Sequence, residues 1–121
     1  MEHKVYGLVD LVQQGRFLEA LDAYYAEDVA MAENLNAPTV GKDINRNREI
    51  AWVNTIGELG EYRAESIIVD GDKTAINWVV DYVDVEGRRI QMEQWAIQRW
   101  RDGQVYHEQF VYDPASVKVA A

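Results

Sequence analysis

Cysteine is absent from this sequence, and basic residues are few. Without cysteine the chain can form neither a disulfide framework nor a zinc site with thiolate ligands. The 12 lysines and arginines are outnumbered by 21 aspartates and glutamates, which gives a formal charge of −9. Proteins that bind nucleic acids or anionic membranes concentrate basic side chains, so we expect neither kind of partner.

Long apolar runs are also missing. No stretch approaches the ~18 consecutive apolar residues of a membrane-spanning helix. Charged residues interrupt the apolar positions near the N-terminus, so this segment has no signal-peptide core. We therefore expect a cytoplasmic protein. His3 and His107 have no second histidine at ligand spacing, and we expect no metal site and no cofactor.

Aromatic residues, in contrast, are abundant. The chain has four tryptophans and seven tyrosines among 121 residues, and such side chains supply large burials in cores and interfaces. The apolar share of 48% is ordinary for a globular protein. This length suits one domain that buries about two-thirds of the surface exposed by the unfolded chain. We expect a single domain over residues 1–121.

The hydrophobic period divides the chain into helices followed by strands. Residues 5–12 and 17–25 have helical spacing with Gly15 between them, which predicts a helical hairpin. A short strand follows, and a third helix is predicted over residues 42–56. On that helix Asn45, Arg48 and Trp52 fall on one stripe of mixed polarity.

From residue 62 onward the period becomes two. Turn signals at Asp70, Glu86 and Asp102 separate four predicted strands, at about residues 62–69, 74–85, 88–101 and 105–112. Helices first and a hairpin-linked antiparallel sheet afterwards is typical of an α+β fold. Both faces of these strands carry apolar residues, so alternation alone leaves open which face lies inside.

The order of these elements resembles a known superfamily. The segments LVQQGRFLEALDAYYAEDVAMAE, PTVGKDINR and RWRDGQVYHEQFVYDP are similar to the opening helices and strand, the start of the third helix and the last hairpin of nuclear transport factor 2-like proteins. The polyketide-cyclase-like branch, which is related to ketosteroid isomerases, is the most similar. The resemblance implies a cone-shaped α+β barrel of the cystatin-like kind, with three helices packed on a strongly curved antiparallel sheet.

The resemblance also implies where the site lies. It places the general base of the isomerase pattern on Glu33 and, extended without gaps through the turn at Glu86, puts one face of each later strand in the cone cavity. Val9 and Ala96 stand where isomerases carry an oxyanion-binding tyrosine and a protonated aspartate. The expected catalytic residues are Glu33, Asp81 and Glu108. The expected substrate-binding residues are Asn45, Arg48, Trp52, Asn77, Gln94, Gln98, Trp100, Phe110 and Tyr112.

Two explanations of Glu33 remain open. It shares a strand face with Val29 and Met31, so it is either a base whose pKa an apolar pocket raises or a carboxylate that pairs with Arg48 or caps the following loop. In the first case we expect acid–base chemistry, of isomerase, cyclase or dehydratase type, on a small apolar carbonyl compound. The alternative is a non-catalytic ligand-binding or dimerisation module with the same pocket.

The opposite face of the sheet predicts a partner. The ungapped extension puts Trp78, Val80, Tyr82, Trp95 and Ile97 on the convex face, as an apolar patch that the three helices would not cover. Sheet-to-sheet homodimers are common in the superfamily that the chain resembles. We therefore expect a homodimer through Trp78, Tyr82 and Trp95.

Overall fold

The fold contains three α-helices, of which two precede the first strand, in a computed structural model that describes all residues from 1 to 121. Helix α1 spans Glu2–Gln13, α2 spans Phe17–Tyr24 and α3 spans Lys42–Val53. Between α1 and α2, Gly15 has φ 78°, a left-handed conformation that glycine adopts without strain where a helix ends. The predicted helical hairpin and third helix are confirmed. None of the three helices combines the length and the hydropathy that a membrane-spanning helix requires.

Seven strands form a single curved sheet. They are β1 (Tyr25–Glu33), β2 (Thr39–Val40), β3 (Ile56–Asp70), β4 (Lys73–Asp84), β5 (Arg89–Arg101), β6 (Gln104–Val111) and β7 (Lys118–Ala120). The order is β2-β1-β6-β5-β4-β3, and β7 pairs with β5. The α+β fold class and the four long strands are therefore confirmed, although β3 begins at Ile56 and not near residue 62.

One strand pair departs from the expected antiparallel pattern. β1 and β6 are parallel, with Met31 opposite Glu108 and Glu33 opposite Phe110. The first strand thus pairs with the last long strand, and the connection between them contains a helix and four other strands. Parallel neighbours need such a long crossover, whereas two-residue turns join antiparallel ones. This pairing brings the end of β1 next to the end of β6.

The hydrophobic core lies between the helices and the inner face of the sheet. Val5, Leu8 and Val9 of α1 are buried, as are Ala20 and Leu21 of α2. They pack against a row of buried strand residues. That row consists of Tyr25, Val29 and Met31 on β1, Ile76, Trp78, Val80 and Tyr82 on β4, Ala96 and Trp100 on β5, and Val105 on β6.

The two faces of β4 are opposite to those expected from the resemblance. Trp78 lies opposite Gln94 and Val80 opposite Met92, and residues directly opposite in an antiparallel pair share a face. Trp78, Val80 and Tyr82 are therefore core residues, not part of an outer patch. Of the predicted outer patch, Trp95 and Ile97 do lie on the outer face.

Asn77, Val79 and Asp81 accordingly lie on the outer face, so the expectation that Asn77 and Asp81 line the cavity was wrong. The ungapped extension through the β4–β5 turn was off by one residue, and a one-residue change of register moves a whole strand to the other face. Asp84 fixes the actual register. Its Oδ1 accepts hydrogen bonds from the backbone N–H groups of Glu86, at 3.0 Å, and Arg88, at 2.9 Å.

Candidate functional site

A cavity of about 450 Å³ lies between α3, the inner face of the sheet and the segment that follows β6. Most of its wall is apolar or aromatic, and its polar groups are few, as is usual for small-molecule sites. Residues that line it are Met31, Ala32, Glu33, Asn45, Arg48, Glu49, Trp52, Tyr62, Val80, Tyr82, Ile90, Met92, Gln94, Phe110, Tyr112, Val117 and Val119.

Glu49 is the carboxylate on the α3 wall of this cavity. Its side chain is half-buried and makes no hydrogen bond or ion pair with another residue. Burial raises the pKa of Glu49, and the nearby Arg48 guanidinium opposes only part of that rise. An unpaired carboxylate in an apolar wall can exchange protons near neutral pH more readily than a solvated one.

A smaller chamber of about 50 Å³ lies deeper, between the helical hairpin and the sheet. It shares Met31, Glu49, Tyr62 and Phe110 with the main cavity. Glu108 is at its inner wall and only 2% exposed. The two spaces are therefore adjacent, and Glu49 lines both.

Glu108 is held by a chain of buried polar side chains. The Tyr25 hydroxyl lies 2.8 Å from both carboxylate oxygens, so that its single proton is shared between them, and Gln98 Nε2 donates to one of them at 2.6 Å. Thr74 donates to Gln98 Oε1 at 2.8 Å, and Trp100 Nε1 donates to Thr74 at 2.9 Å. Burial raises the pKa of Glu108 to about 7, against the opposing hydrogen bonds of Gln98 and Tyr25.

Glu33 lies at the mouth of the main cavity and is exposed. The strand leaves the core as it runs from Val29, which is fully buried, through Met31, which is 9% exposed, to Glu33. Burial raises the pKa of Tyr112, and the Glu33 carboxylate nearby adds to the rise. The expected sharing of one strand face thus holds, but Glu33 is beyond the apolar part of that face.

Arg48 and Asn45 have different surroundings. Arg48 donates from Nη1 to the Thr39 hydroxyl at 2.8 Å and forms no ion pair, so the suggested pairing of Glu33 with Arg48 is not formed. Asn45 is 3% exposed, and its Nδ2 donates to the backbone oxygens of Gly41 at 2.9 Å and Thr39 at 3.0 Å. Asn45 therefore ties the start of α3 to the preceding segment.

Aromatic rings form the floor between the two spaces. Trp52 packs edge to face against Phe17, Tyr62 and Tyr82, with ring centroids 5.1, 6.0 and 5.9 Å apart. Gln94 Nε2 donates to the Tyr62 hydroxyl oxygen at 2.8 Å.

No group of three or more histidine, aspartate or glutamate side chains is arranged to hold a metal ion.

The family model of the SnoaL-like domain matches residues 4–112. The chain belongs to the SnoaL-like domain family. A search of curated proteins found no match.

Solved structures share the fold of this SnoaL-like domain at low sequence identity. A proposed SnoaL-like polyketide cyclase from Mesorhizobium loti is 24% identical, with a TM-score of 0.81 over 92% of this chain and 97% of that one. TerC, co-crystallised with polyporic acid, is 12% identical, with a TM-score of 0.76 over 93% and 91%. A protein with a ketosteroid-isomerase-like fold from Catenulispora acidiphila, in complex with trimethylamine, is 16% identical, with a TM-score of 0.76 over 93% of this chain and 87% of that one.

In this SnoaL-like domain, nine of the 12 expected site residues line one of the two spaces. Those nine are Glu33, Asn45, Arg48, Trp52, Gln94, Gln98, Glu108, Phe110 and Tyr112. Trp100 is 2% exposed and belongs to the core. Asn77 and Asp81 are on the outer face, where Arg89 binds both Asp81 oxygens, at 3.1 and 2.7 Å, and holds the pKa of Asp81 below its usual range.

Glu49 and Tyr62 were missed by the sequence reasoning. Glu49 follows Asn45 by four residues and precedes Trp52 by three, so the helical period already places it on their stripe. For Tyr62 the signal is the register of β3 with β4, in which Tyr62 lies opposite Val80. That register is not visible in the sequence.

Proposed function

We propose that this SnoaL-like domain binds a small, mostly apolar molecule with a carbonyl or enol group and transfers protons on it. The observation that carries the proposal is the position of Glu49, an unpaired carboxylate whose pKa burial raises, in the wall of an apolar cavity. A general base works best when its pKa is near the working pH, and burial is one means of raising a glutamate toward that range.

The size and lining of the cavity support the substrate class. A space of about 450 Å³ with aromatic walls suits a ring-containing molecule with few charges. Two proteins of the same fold were crystallised with small organic molecules, polyporic acid and trimethylamine. We assign the base to Glu49, with Glu33 at the mouth as the second candidate.

Glu108 has a different part in this proposal. Its two oxygens already accept hydrogen bonds from Tyr25 and Gln98, and it lies behind the main cavity. The charge of Glu49 adds to the rise in the pKa of Glu108 that burial causes, since like charges disfavour each other.

Hydrogen exchange at carbon tests the proposal without knowledge of the natural substrate. Aromatic ketones and 1,3-diketones would be incubated with the protein in deuterium oxide, and loss of the proton next to the carbonyl followed by NMR. We expect the wild type to accelerate exchange for some of these compounds and Glu49→Gln to lose at least about 100-fold of that acceleration. Glu33→Gln is the companion variant.

The outcomes separate the candidates. Loss of exchange in Glu33→Gln with retention in Glu49→Gln would move the base to the mouth. Binding of these ketones with no exchange in the wild type would leave a non-catalytic ligand-binding module, which is the alternative function.

A further inference from the structure

Tyr62 has a hydroxyl proton that no protein group accepts. Its oxygen accepts a hydrogen bond from Gln94 Nε2 at 2.8 Å, and the tyrosine donates to no other residue. The side chain lines both the main cavity and the inner chamber, as Glu49 does. A phenol oxygen that already accepts one hydrogen bond still has its O–H free to donate. The structure therefore leaves one donor available to a ligand.

The ring of Tyr62 is fixed on three sides. Phe17, Trp52 and Trp78 meet it edge to face, with ring centroids 5.3, 6.0 and 5.0 Å away. These contacts, together with the hydrogen bond from Gln94, hold the hydroxyl in place before any ligand arrives. A donor fixed in advance stabilises developing charge better than one that must reorganise.

We propose that Tyr62 is a catalytic residue, the hydrogen-bond donor that stabilises the enolate oxygen of the substrate while Glu49 takes the proton. This inference rests on the proposed function. The positions where related isomerases carry their oxyanion donors are occupied here by Val9 and Ala96, which have no donor side chain. Tyr62, on β3, supplies such a donor from an element that contains neither of those two positions.

The chemistry balances without an added reagent. Glu49 removes a proton from the carbon next to the carbonyl group, and the electron pair of that C–H bond becomes the carbon–carbon double bond of an enolate. The negative charge moves to the oxygen, which accepts a hydrogen bond from Tyr62. Glu49 then returns the proton to another carbon or to the same one, and Tyr62 keeps its own proton throughout.

The electrostatic surroundings keep Tyr62 neutral, as a donor must be. Burial raises the pKa of Tyr62 above its ordinary value, and the negative charges of Glu49 and Glu108 raise it further. The phenol therefore stays protonated across the range in which Glu49 can act as a base. The same cavity contains one carboxylate that can accept a proton and one hydroxyl that retains its own.

The test uses 4-nitrophenolate as a stable mimic of the enolate, with nitrobenzene as the matched probe that lacks the anionic oxygen. Binding is measured by calorimetry at pH 8.5 in the Glu49→Gln background, in which the amide imitates the protonated base and does not repel the anion. We expect Tyr62→Phe to lower the affinity for 4-nitrophenolate at least about tenfold and to change the affinity for nitrobenzene by no more than about twofold. Tyr106→Phe is the control, because Tyr106 is outside both spaces.

A spectroscopic signature accompanies the affinity. A hydrogen bond to the phenolate oxygen shifts its absorption band to shorter wavelength. The band of 4-nitrophenolate bound to the protein with Tyr62 should therefore lie at shorter wavelength than the band of the same probe bound to Tyr62→Phe. Gln94→Met should lower the affinity for 4-nitrophenolate modestly, because Tyr62 loses the hydrogen bond that its oxygen accepts. Tighter binding in Gln94→Met would mean that Gln94 had been accepting the Tyr62 proton, and would overturn the assignment.

Two further results would also overturn it. Phenolate binding with the same affinity and the same band in Tyr62→Phe would remove Tyr62 from the catalytic role while leaving the proposed function intact. No binding of either probe to any variant would overturn the proposed function, and the assignment of Tyr62 with it.

Discussion

The Tyr25 hydroxyl lies 2.8 Å from each of the two carboxylate oxygens of Glu108, inside the core of the domain. The two residues are 83 positions apart in sequence, on strands β1 and β6, which pair in parallel. This contact joins the start of the sheet to its last long strand. It also places an ionisable group where water does not reach it, so folding and protonation are coupled.

Glu108 should make the stability of the domain depend on pH. Its pKa in the folded state is raised to about 7, above the value of ~4.3 expected when unfolded. The folded state thus holds the proton more tightly, and stability falls as pH rises from about 4.5 to about 7, then levels off. We expect wild type to lose up to about 3 kcal/mol of unfolding free energy over that window relative to Glu108→Gln.

Urea unfolding at several pH values measures this effect. Glu93→Gln is the control, because Glu93 is exposed on β5. Its unfolding free energy should change with pH as steeply as that of the wild type. Equal slopes in wild type and Glu108→Gln would contradict the prediction.

The register of β4 predicts a contrast between neighbouring residues. Trp78 is 3% exposed and packs in the core, whereas Val79 is on the outer face and half-buried. We expect Trp78→Ala to reduce the free energy of unfolding by about 3–5 kcal/mol. Val79→Ala should cost less than about 1.5 kcal/mol. Denaturant unfolding checks both, and a larger loss in Val79→Ala would mean that the faces are reversed.

The outer face remains the expected surface for a homodimer, with corrected residues. Trp95, Ile97 and Val111 lie on it, and the last two are 36% and 43% exposed. Asn77, opposite Trp95, has a buried Oδ1 with no hydrogen-bond partner. Trp78 and Tyr82 are not part of this surface, since both are in the core.

Sedimentation tests the dimer. We expect a dimer for wild type and a monomer for Trp95→Glu, because a carboxylate buried in an apolar interface is costly. Trp95→Phe keeps an aromatic ring and should remain a dimer. A dimer that survives Trp95→Glu, or a monomeric wild type, would contradict this interface.

The element order could be predicted because helical and strand periods are local properties of the sequence. The start of β3 could not be predicted in this way. Its first residues contain Gly57 and Gly60, and a Cβ at these positions would lie 2.9 and 2.8 Å from the backbone oxygens of Asp84 and Asp81. Glycine there permits close approach of β4, but in the sequence it looks like a break in a strand.

The candidate site was predictable where one helix or strand carried it and not where strands had to be aligned. Asn45, Arg48 and Trp52 share a helical stripe, and all three line the cavity. Which face of β4 lies inside depends on the number of residues in the turn at Asp84, because that number sets the register with β5. Both faces of that strand carry apolar side chains, so the pattern had no preference. The parallel pairing of β1 with β6 involves residues too distant in sequence for any local signal.

The four tryptophans are distributed over three different environments, which gives the domain built-in optical probes. Trp52 is in the cavity wall, Trp78 and Trp100 are in the core, and Trp95 is on the outer face. A variant that retains Trp52 alone would report occupancy of the cavity by its emission, and one that retains Trp95 alone would report association of two chains. Trp100, whose indole N–H binds Thr74, would report the integrity of the buried polar chain. Tryptophan fluorescence can thus report on the site, the core and the outer surface of this domain independently.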